Sequence, residues 1–541
     1  MFDFREAFLK ASQLHPNIIA VIDSDREISY GDFFILVTRY IELFAANSTQ
    51  RTKSEQATAV FICKKTIESV AAAYACFLSN ITYVPIDGDA PRSRLVGMLR
   101  LINPSLLVTD HAYETTCEDL LAEYMQGIDD AATTLIHLQA GEVCGNSTAI
   151  QITQSHILVS SLLTKSVSAN KNNIAYMMFT SGSTGIPKAV PIEYQAINNF
   201  YHDISAFYPV DTASVCMNTA PNYFDVSVLD TWFPLAKGAT LVLTQKEDLF
   251  PPLFLRKIQQ YQVEYMCCVA PQLKLVARCK AIMEKTNLSS LKVIMTGAES
   301  PNPEAMSTWI RNVDDLKLLN GYGPTESTCV STVYTISAEN VLNPTPYPMG
   351  KPLGNVQIKV QHTESGDSSA TEGELLIGGG QLMPGYYRNP EETNAKILFI
   401  PEGRFYRSGD KVRILDNGDL LYLGRVDHEV KVSGFRIHLG ELETVAEKIE
   451  GVHECVAAVI DIEKSERQIV LAFSGALSDN SCLKDVIFTR MRALLPHYMH
   501  PKHVFEIETL PKLGNGKLDR KKAKNLLERE VRKQALENTL A

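Results

Sequence analysis

The stretch that most limits what this chain can fold into runs from Ala175 to Ile192. An apolar run, Ala175 to Phe179, reads as a buried strand. It feeds Thr180-Ser181-Gly182-Ser183-Thr184-Gly185-Ile186-Pro187-Lys188, which holds four hydroxyl side chains, two glycines and one lysine in nine positions. Glycine lets a backbone come close to a ligand. Freed amides, hydroxyls and a lysine can then cradle phosphate oxygens. The spacing differs from Gly-x-x-x-x-Gly-Lys-Ser/Thr, which also requires a helix directly after it. Here Pro187 precedes the lysine, and Ala189 to Ile192 reads as extended. A generic Gly/Ser loop reads as a surface turn; this ordered run reads as a phosphate loop of a different build.

Composition sets the frame. With 541 residues, 45% hydrophobic and 21% charged, the chain is ordinary globular protein of more than one domain. A net charge of -10 argues against nucleic acid as the main partner. It leaves room for local positive loops that meet an anionic substrate. The 11 cysteines are odd in number and lack Cys-x-x-Cys spacing, so reduced thiols fit better than a disulfide framework or a zinc site. With Asp3, Arg5, Glu6 and Lys10 in its first turns, the N-terminus is not expected to be a signal peptide. No apolar run approaches the roughly 18 residues of a membrane span. A cytoplasmic location, with no membrane contact, is expected.

The first 170 residues alternate strand and helix patterns. A helix-like stretch starts at Ile28 to Phe33, Ala57 to Cys63 reads as a strand, and Ala-rich Thr66 to Phe77 reads as a helix. Tyr83 to Asp87 is extended again, which points to a doubly wound α/β sheet. A helix is expected over Glu193 to Tyr208. Asp225 then interrupts an apolar segment of Phe224, Val226, Val228, Leu229 and Trp232. A carboxylate there is costly to bury unless paired. It reads either as the N-cap of a helix over Val226 to Leu235 or as the counter-charge for a substrate cation. Ala239 to Thr244, Tyr265 to Val269 and Leu291 to Thr296 are further strand candidates, the last ending at Gly297. Ligands of open α/β sheets sit beyond such strand ends.

A second glycine-rich turn, Asn320-Gly321-Tyr322-Gly323-Pro324-Thr325-Glu326, combines an aromatic ring, a hydroxyl and a carboxylate able to hold Mg²⁺. A polar loop, read as a hairpin tip, lies between Gln357 and Glu372. Asp410 ends Tyr406-Arg407-Ser408-Gly409-Asp410, where an Asx cap is the ordinary reading. Lys517 sits in Leu513-Gly514-Asn515-Gly516-Lys517, where a lone lysine would ordinarily be solvated charge. The tail from Lys521 to Ala541 has mixed charge and a helical pattern. There is no internal repeat.

Taken in order, from about Ile28 to Arg520, these stretches resemble the adenylate-forming superfamily. The likeness is greatest to the amino-acid adenylation domains of nonribosomal peptide synthetases and to free-standing amino acid:carrier-protein ligases. Ser79-Asn80-Ile81 stands where the family usually has Lys-Ala-Gly, and Glu429 where it usually has Gln. The resemblance implies an α/β fold: a large domain of doubly wound mixed sheets over residues 1–426, and a small, mobile α+β domain over 427–541 with its hinge at Asp427. It implies ATP and Mg²⁺ as cofactors. Thr180, Ser181, Gly182, Ser183, Thr184, Gly185 and Lys188 would bind the phosphates. Asn320, Gly321, Tyr322, Asp410, Arg425 and Arg436 would bind the rest of ATP, with Tyr322 on adenine and Asp410 on the ribose hydroxyls. Thr325 would contact the α-phosphate, Glu326 would serve the metal, and Lys517 would be the catalytic lysine.

The same resemblance puts Asp225 on the α-ammonium group of an amino acid. Val226, Leu229, Cys268, Met295, Gly297, Gly321, Cys329 and Val330, with Lys517, would surround the substrate. Asp225 brings the one charge among the side-chain pocket residues, so an uncharged, small-to-medium amino acid fits best. Gly297 and Gly321 are expected to leave room for its side chain. The implied activity is aminoacyl-AMP formation with release of pyrophosphate, then transfer to the phosphopantetheine thiol of a carrier protein. Too little chain follows Arg520 for a carrier domain, so the carrier is expected in trans. An acyl- or aryl-CoA ligase on the same fold is the alternative, and a silent nucleotide-binding scaffold a third reading.

Overall fold

The computed structural model describes residues 2–24, 26–47, 56–126, 133–138, 173–182, 187–343, 346–362, 371–427, 429–462, 466–476, 482–512 and 518–540. The chain forms two compact units. One comprises Met1–Gly88, Leu99–Phe179 and Ala189–Val426, and the other Asp89–Met98, Thr180–Lys188 and Asp427–Ala541. The second thus takes in two short segments from within the range read as the large domain.

Helix Ile67–Leu78 shows how the sequence builds the core of the first unit. Thr66 Oγ1 accepts from the Ser69 amide at 3.1 Å, and Ser69 Oγ accepts from the Thr66 amide at 2.9 Å. This reciprocal box satisfies two amides that a helix start leaves open. Ala71, Ala72, Ala73 and Ala75 add little bulk, and every residue of the helix is buried. A helix apolar on all faces is one covered on all faces.

Among the described residues, three sheets occupy this unit. In the nine-stranded sheet, Lys317–Tyr322, Val293–Thr296, Tyr265–Cys267, Val215–Met217, Thr240–Leu243 and Ile19–Asp23 are consecutive parallel neighbours. Antiparallel strands close both of its ends, so the sheet is mixed. The six-stranded sheet runs Thr134–Leu138, Leu106–Asp110, Thr58–Ile62, Thr82–Pro85, Ile174–Thr180 and Lys188–Glu193. Strands Val356–Gln361 and Glu372–Gly379 pair antiparallel in a third, five-stranded sheet, on either side of the polar loop. Residues 363–370 at the expected hairpin tip lie outside the described residues. The fold is thus the expected mixed α/β architecture.

The helix expected over Val226 to Leu235 is instead a series of turns, a π-helical turn at Val228–Trp232 and a short helix at Phe233–Lys237. Pro234 explains the change. It has no amide to donate to Asp230, and the Phe233 amide reaches back to Val228 O, the wider π spacing. Gly238, at φ +78°, ends the short helix in the left-handed region. Helix Tyr194–Ile204 is also shorter than the Glu193 to Tyr208 expected.

An aromatic cluster fixes the π-turn against the six-stranded sheet. The Trp232 ring meets Phe77, Tyr176 and Tyr83 edge-on at 4.7, 5.4 and 5.5 Å. Tyr74 Oη donates to Trp232 O at 2.8 Å. Each such ring pair adds about 0.5–1.5 kcal/mol beyond area burial.

The second unit has its own core, around Ile437, Leu442, Leu471, Phe473 and Ile487. Strands Glu429–Val432 and Phe435–His438 form a hairpin, and Val452–Ile462, Glu466–Gly475 and His503–Glu506 a three-stranded sheet. The hairpin turns at Ser433 and Gly434, with φ of +53° and +85°, the geometry of a primed two-residue turn. Helix Arg520–Leu540 matches the helical reading of the tail.

Removing the Trp232 ring leaves a cavity in a filled cluster. Trp232→Ala is expected to lower stability by about 3–5 kcal/mol, read as a fall in the urea midpoint at unchanged m-value. A loss under about 1 kcal/mol would show that the cluster does not hold the π-turn.

Candidate active site

Four neighbouring parallel strands of the nine-stranded sheet deliver the candidate residues at their C-terminal ends. Val215–Met217 leads to Asn218 and on to Asp225; Tyr265–Cys267 leads to Cys268; Val293–Thr296 leads to Gly297; Lys317–Tyr322 leads to Thr325 and Glu326. That common edge is where ligands of open α/β sheets bind.

Asp225 is half-buried, and Thr325 Oγ1 donates to its Oδ2 at 2.6 Å. The hydroxyl expected on the α-phosphate thus rests on the carboxylate expected to hold the ammonium group. Glu326 is 1% exposed, and its Oε1 accepts from Tyr386 Oη at 2.7 Å. The phenol fixes how that carboxylate points. Tyr386 belongs to Gly385-Tyr386-Tyr387-Arg388-Asn389-Pro390, a stretch that carries no site residue in the sequence reading.

Tyr322, Asp410 and Arg425 come together. Tyr322 Oη donates to Asp410 Oδ2 at 2.5 Å and Arg425 Nη1 to Asp410 Oδ1 at 3.0 Å. Burial, with the Asp410 charge beside it, pushes the Tyr322 phenol well above its usual range, so it stays a donor. The Asn320 side-chain amide donates to Pro348 O at 2.8 Å.

Leu229, Cys268, Met295, Cys329 and Val330 are all buried, and Val226 is partly so. Burial and the Asp225 charge raise the Cys329 thiol, which keeps it neutral. Thr328 and Cys329 stand at φ +59° and +70°, a conformation that costs non-glycine residues free energy and needs support. Gln381 supplies it. Thr328 Oγ1 donates to Gln381 O at 2.6 Å, and Gln381 Nε2 donates to Val330 O at 2.9 Å.

The two glycines differ from each other in what surrounds them. A Cβ on Gly297 would lie 2.5 Å from Gly321 O, so this position serves a close backbone approach. A Cβ on Gly321 would lie 3.3 Å from Met295 Sδ and 3.4 Å from Val330 Cγ1, both on side-chain atoms that can shift.

In the second unit, Ser181 Oγ donates to Arg436 O at 3.1 Å. The Arg436 guanidinium is paired with Glu429 Oε2, at 2.9 Å from Nε and 2.8 Å from Nη2. Glu429, which had no interpretation in the sequence, is thus the buried counter-ion of Arg436. Its amide donates to Asp427 Oδ1 at 3.1 Å. Lys188 is buried within its strand, and Thr180 ends strand Ile174–Thr180 ahead of Gly182. Ser183, Thr184, Gly185 and Lys517 lie outside the described residues.

Sequence reasoning missed Asp230. It is 1% exposed and accepts four hydrogen bonds, from the Thr219 and Ala220 amides, Asn218 Nδ2 and Thr231 Oγ1, at 2.8–3.0 Å. The signal was available: like Asp225, it is a charge set in an apolar run.

Known proteins place this arrangement in a class. Residues 8–387 match the AMP-binding enzyme family, and the chain belongs to that family. Enzymes of this family use ATP. The chain is 28% identical over 530 residues to a dimodular nonribosomal peptide synthase of Bacillus subtilis, a match that takes in 96% of this chain and 21% of that protein. The chain therefore spans a small part of the length of that relative.

Among solved structures it is similar to the Vibrio cholerae adenylation domain AlmE in complex with glycyl-adenosine-5'-phosphate. The TM-score is 0.80 at 22% identity, covering 97% of this chain and 98% of that one. It is also similar to holo-PA1221, an NRPS protein containing adenylation and PCP domains, with a TM-score of 0.77 at 22% identity, covering 97% and 84%. A double mutant of the o-succinylbenzoate CoA synthetase MenE of Bacillus subtilis gives 0.75 at 20%, covering 96% and 98%. These likenesses show the fold. No helix among the described residues is long and apolar enough to cross a membrane.

The two glycines give a direct test. Gly297→Ala is expected to lower the melting temperature and reduce turnover of all substrates alike, since backbone must move. Gly321→Ala costs about 1–3 kcal/mol only where a large substrate side chain competes for the same space. Its losses should grow with substrate size in an exchange assay, and a size-independent loss would contradict the packing described.

Proposed function

We propose that this chain activates an uncharged amino acid with ATP, forming aminoacyl-AMP and pyrophosphate, and passes the aminoacyl group to the phosphopantetheine thiol of a carrier protein. The observation that carries this reading is the 2.6 Å hydrogen bond between Thr325 and Asp225. The two residues have separate expected duties, one toward the α-phosphate and one toward an ammonium group. Their adjacency suits a substrate whose ammonium and carboxylate are one carbon apart.

In the first half-reaction a carboxylate oxygen attacks the α-phosphorus. The new O–P bond forms as the bond to the β-phosphate breaks, and pyrophosphate leaves. Both reactants are anionic, so fixed donors must offset charge and hold the approach. Asp225 orients the amino acid, and Thr325 contacts the α-phosphate. Asp410 takes the ribose hydroxyls, with Arg425 balancing its charge. Thr180, Ser181, Gly182, Ser183, Thr184, Gly185 and Lys188 receive the leaving phosphates, and Lys517 stabilises the transition state. Glu326 offers the hard carboxylate oxygen that Mg²⁺ prefers, held in place by Tyr386. Bound there, Mg²⁺ would offset phosphate charge. In the second half-reaction a thiol attacks the acyl carbon, AMP leaves with the anhydride oxygen, and the thiol proton passes to water.

A charged substrate side chain would lose its hydration among Leu229, Met295, Cys329 and Val330, so a small-to-medium apolar amino acid fits. The division at Asp427 suits a second unit that carries Lys517 and changes pose between the two steps. The fold likeness to a CoA synthetase favours free CoA as the second reading for the thiol.

Asp225→Ala is expected to abolish amino-acid-dependent pyrophosphate exchange while ATP still binds by calorimetry. Exchange at the wild-type rate with the same amino acid would sink the assignment. Lys517→Ala should slow adenylate formation by about 10²–10³-fold, yet load a holo-carrier from synthetic aminoacyl-adenylate at close to the normal rate. Equal losses in both steps would remove Lys517 from the chemistry. Radiolabel from the amino acid should reach a holo-carrier and not its apo form; equal labelling of free CoA at low concentration would favour the second reading.

A further inference from the structure

Behind the Asp225 loop lies a polar cluster, with Asn218, Asp230, Thr231 and Thr244 buried and Lys65 partly so, that the proposed chemistry does not use. Lys65 Nζ donates to Asn218 Oδ1 at 2.6 Å, to Ala220 O at 3.1 Å and to Thr244 Oγ1 at 3.4 Å. Asn218 Nδ2 passes the contact on to Asp230 Oδ1 at 2.8 Å. Asp230 Oδ2 receives the Thr219 and Ala220 amides at 2.9 and 3.0 Å. Lys65, Asn218 and Thr244 each follow directly or closely on a strand end, in both large sheets of the first unit.

The effect is to close a loop. Asp230 sits in the π-turn Val228–Trp232, and its carboxylate holds the backbone of Thr219 and Ala220, eleven and ten residues earlier. Between these anchors, Phe224, Ser227, Val228 and Leu229 each donate to the carbonyl three residues back. Asp225 therefore rides on a run of tight turns pinned at both ends. A carboxylate with four donors is the acceptor such a site requires: an amide in its place offers one oxygen and turns a donor toward donors. Burial pushes Lys65 down to about 8, with Asp230 and Asp248 pulling it up and Lys257 adding to the fall.

We propose that Asp230, backed by Asn218 and Lys65, is a positioning residue for the amino-acid site: it sets where Asp225 stands and so how strongly the enzyme selects an α-amino acid over the same acid without its amino group. This rests on the reading that Asp225 holds the ammonium group. Asp230 does not touch the substrate; it acts through the loop.

The test is pyrophosphate exchange by the full chain. Of the twenty proteinogenic amino acids, the one giving the fastest exchange is carried forward with its des-amino acid. Asp230→Asn is expected to raise the KM for the amino acid about tenfold or more, to leave the KM for ATP within about threefold, and to lower the preference for the amino acid over its des-amino acid by the same factor. Thr231→Val, which takes one hydrogen bond from Asp230, should move the same ratio less and in the same direction. It keeps the test open if Asp230→Asn fails to fold. Lys65→Arg, which keeps the charge, should retain more of the preference than Lys65→Met.

Asp225→Ala separates the two ideas. If it leaves the amino over des-amino preference intact, the underlying reading fails. If it erases the preference, while Asp230→Asn and Thr231→Val change only kcat or stability, the positioning role is overturned.

Discussion

A carboxylate cannot stay charged inside a protein unless donors replace the water it has lost. That requirement shapes the first unit where the candidate residues gather. Asp225 is given Thr325, Glu326 is given Tyr386, Asp410 is given Tyr322 and Arg425, and Asp230 is given two amides, an asparagine and a threonine. Thr325 and Tyr386 come from stretches far in sequence from the carboxylates they serve, whereas Asn218, Thr219 and Ala220 form one stretch just beyond strand Val215–Met217. Packing serves this end: the rings around Trp232 and the all-buried helix Ile67–Leu78 hold the sheets against the loops that carry the carboxylates.

Much of this was legible from the chain because the signals are local. A strand, a glycine turn and a polar residue beyond it occupy a handful of consecutive positions, as at Lys317 to Glu326. The strands, the mixed α/β class and the likeness to adenylate-forming enzymes could all be read that way. Asp225 stood out because it is a charge in an apolar run.

What escaped notice depends on contacts far apart in sequence. Asp230 carries the same local signal as Asp225, but its meaning lies in Thr219, Ala220 and Lys65. Glu429 had no reading until the hairpin placed it opposite Arg436. The close approach of Gly297 to Gly321 O joins two strands and shows only in the fold. The expected helix after Asp225 failed on a local signal that was underweighted: Pro234 cannot donate, and the π-turn is the result. Ser183, Thr184, Gly185 and Lys517 retain the standing that their motifs give them.

The central claim is that the substrate is recognised as an α-amino acid. Wild-type enzyme, ATP and labelled pyrophosphate, with each of the twenty amino acids and its des-amino counterpart, test it most directly. The account predicts exchange with one or a few uncharged amino acids, and slower exchange, by a factor on the order of 10² or more, with the des-amino acid. Exchange that is equal or faster with the des-amino acids would contradict it, and would make the chain an activator of simple carboxylic acids.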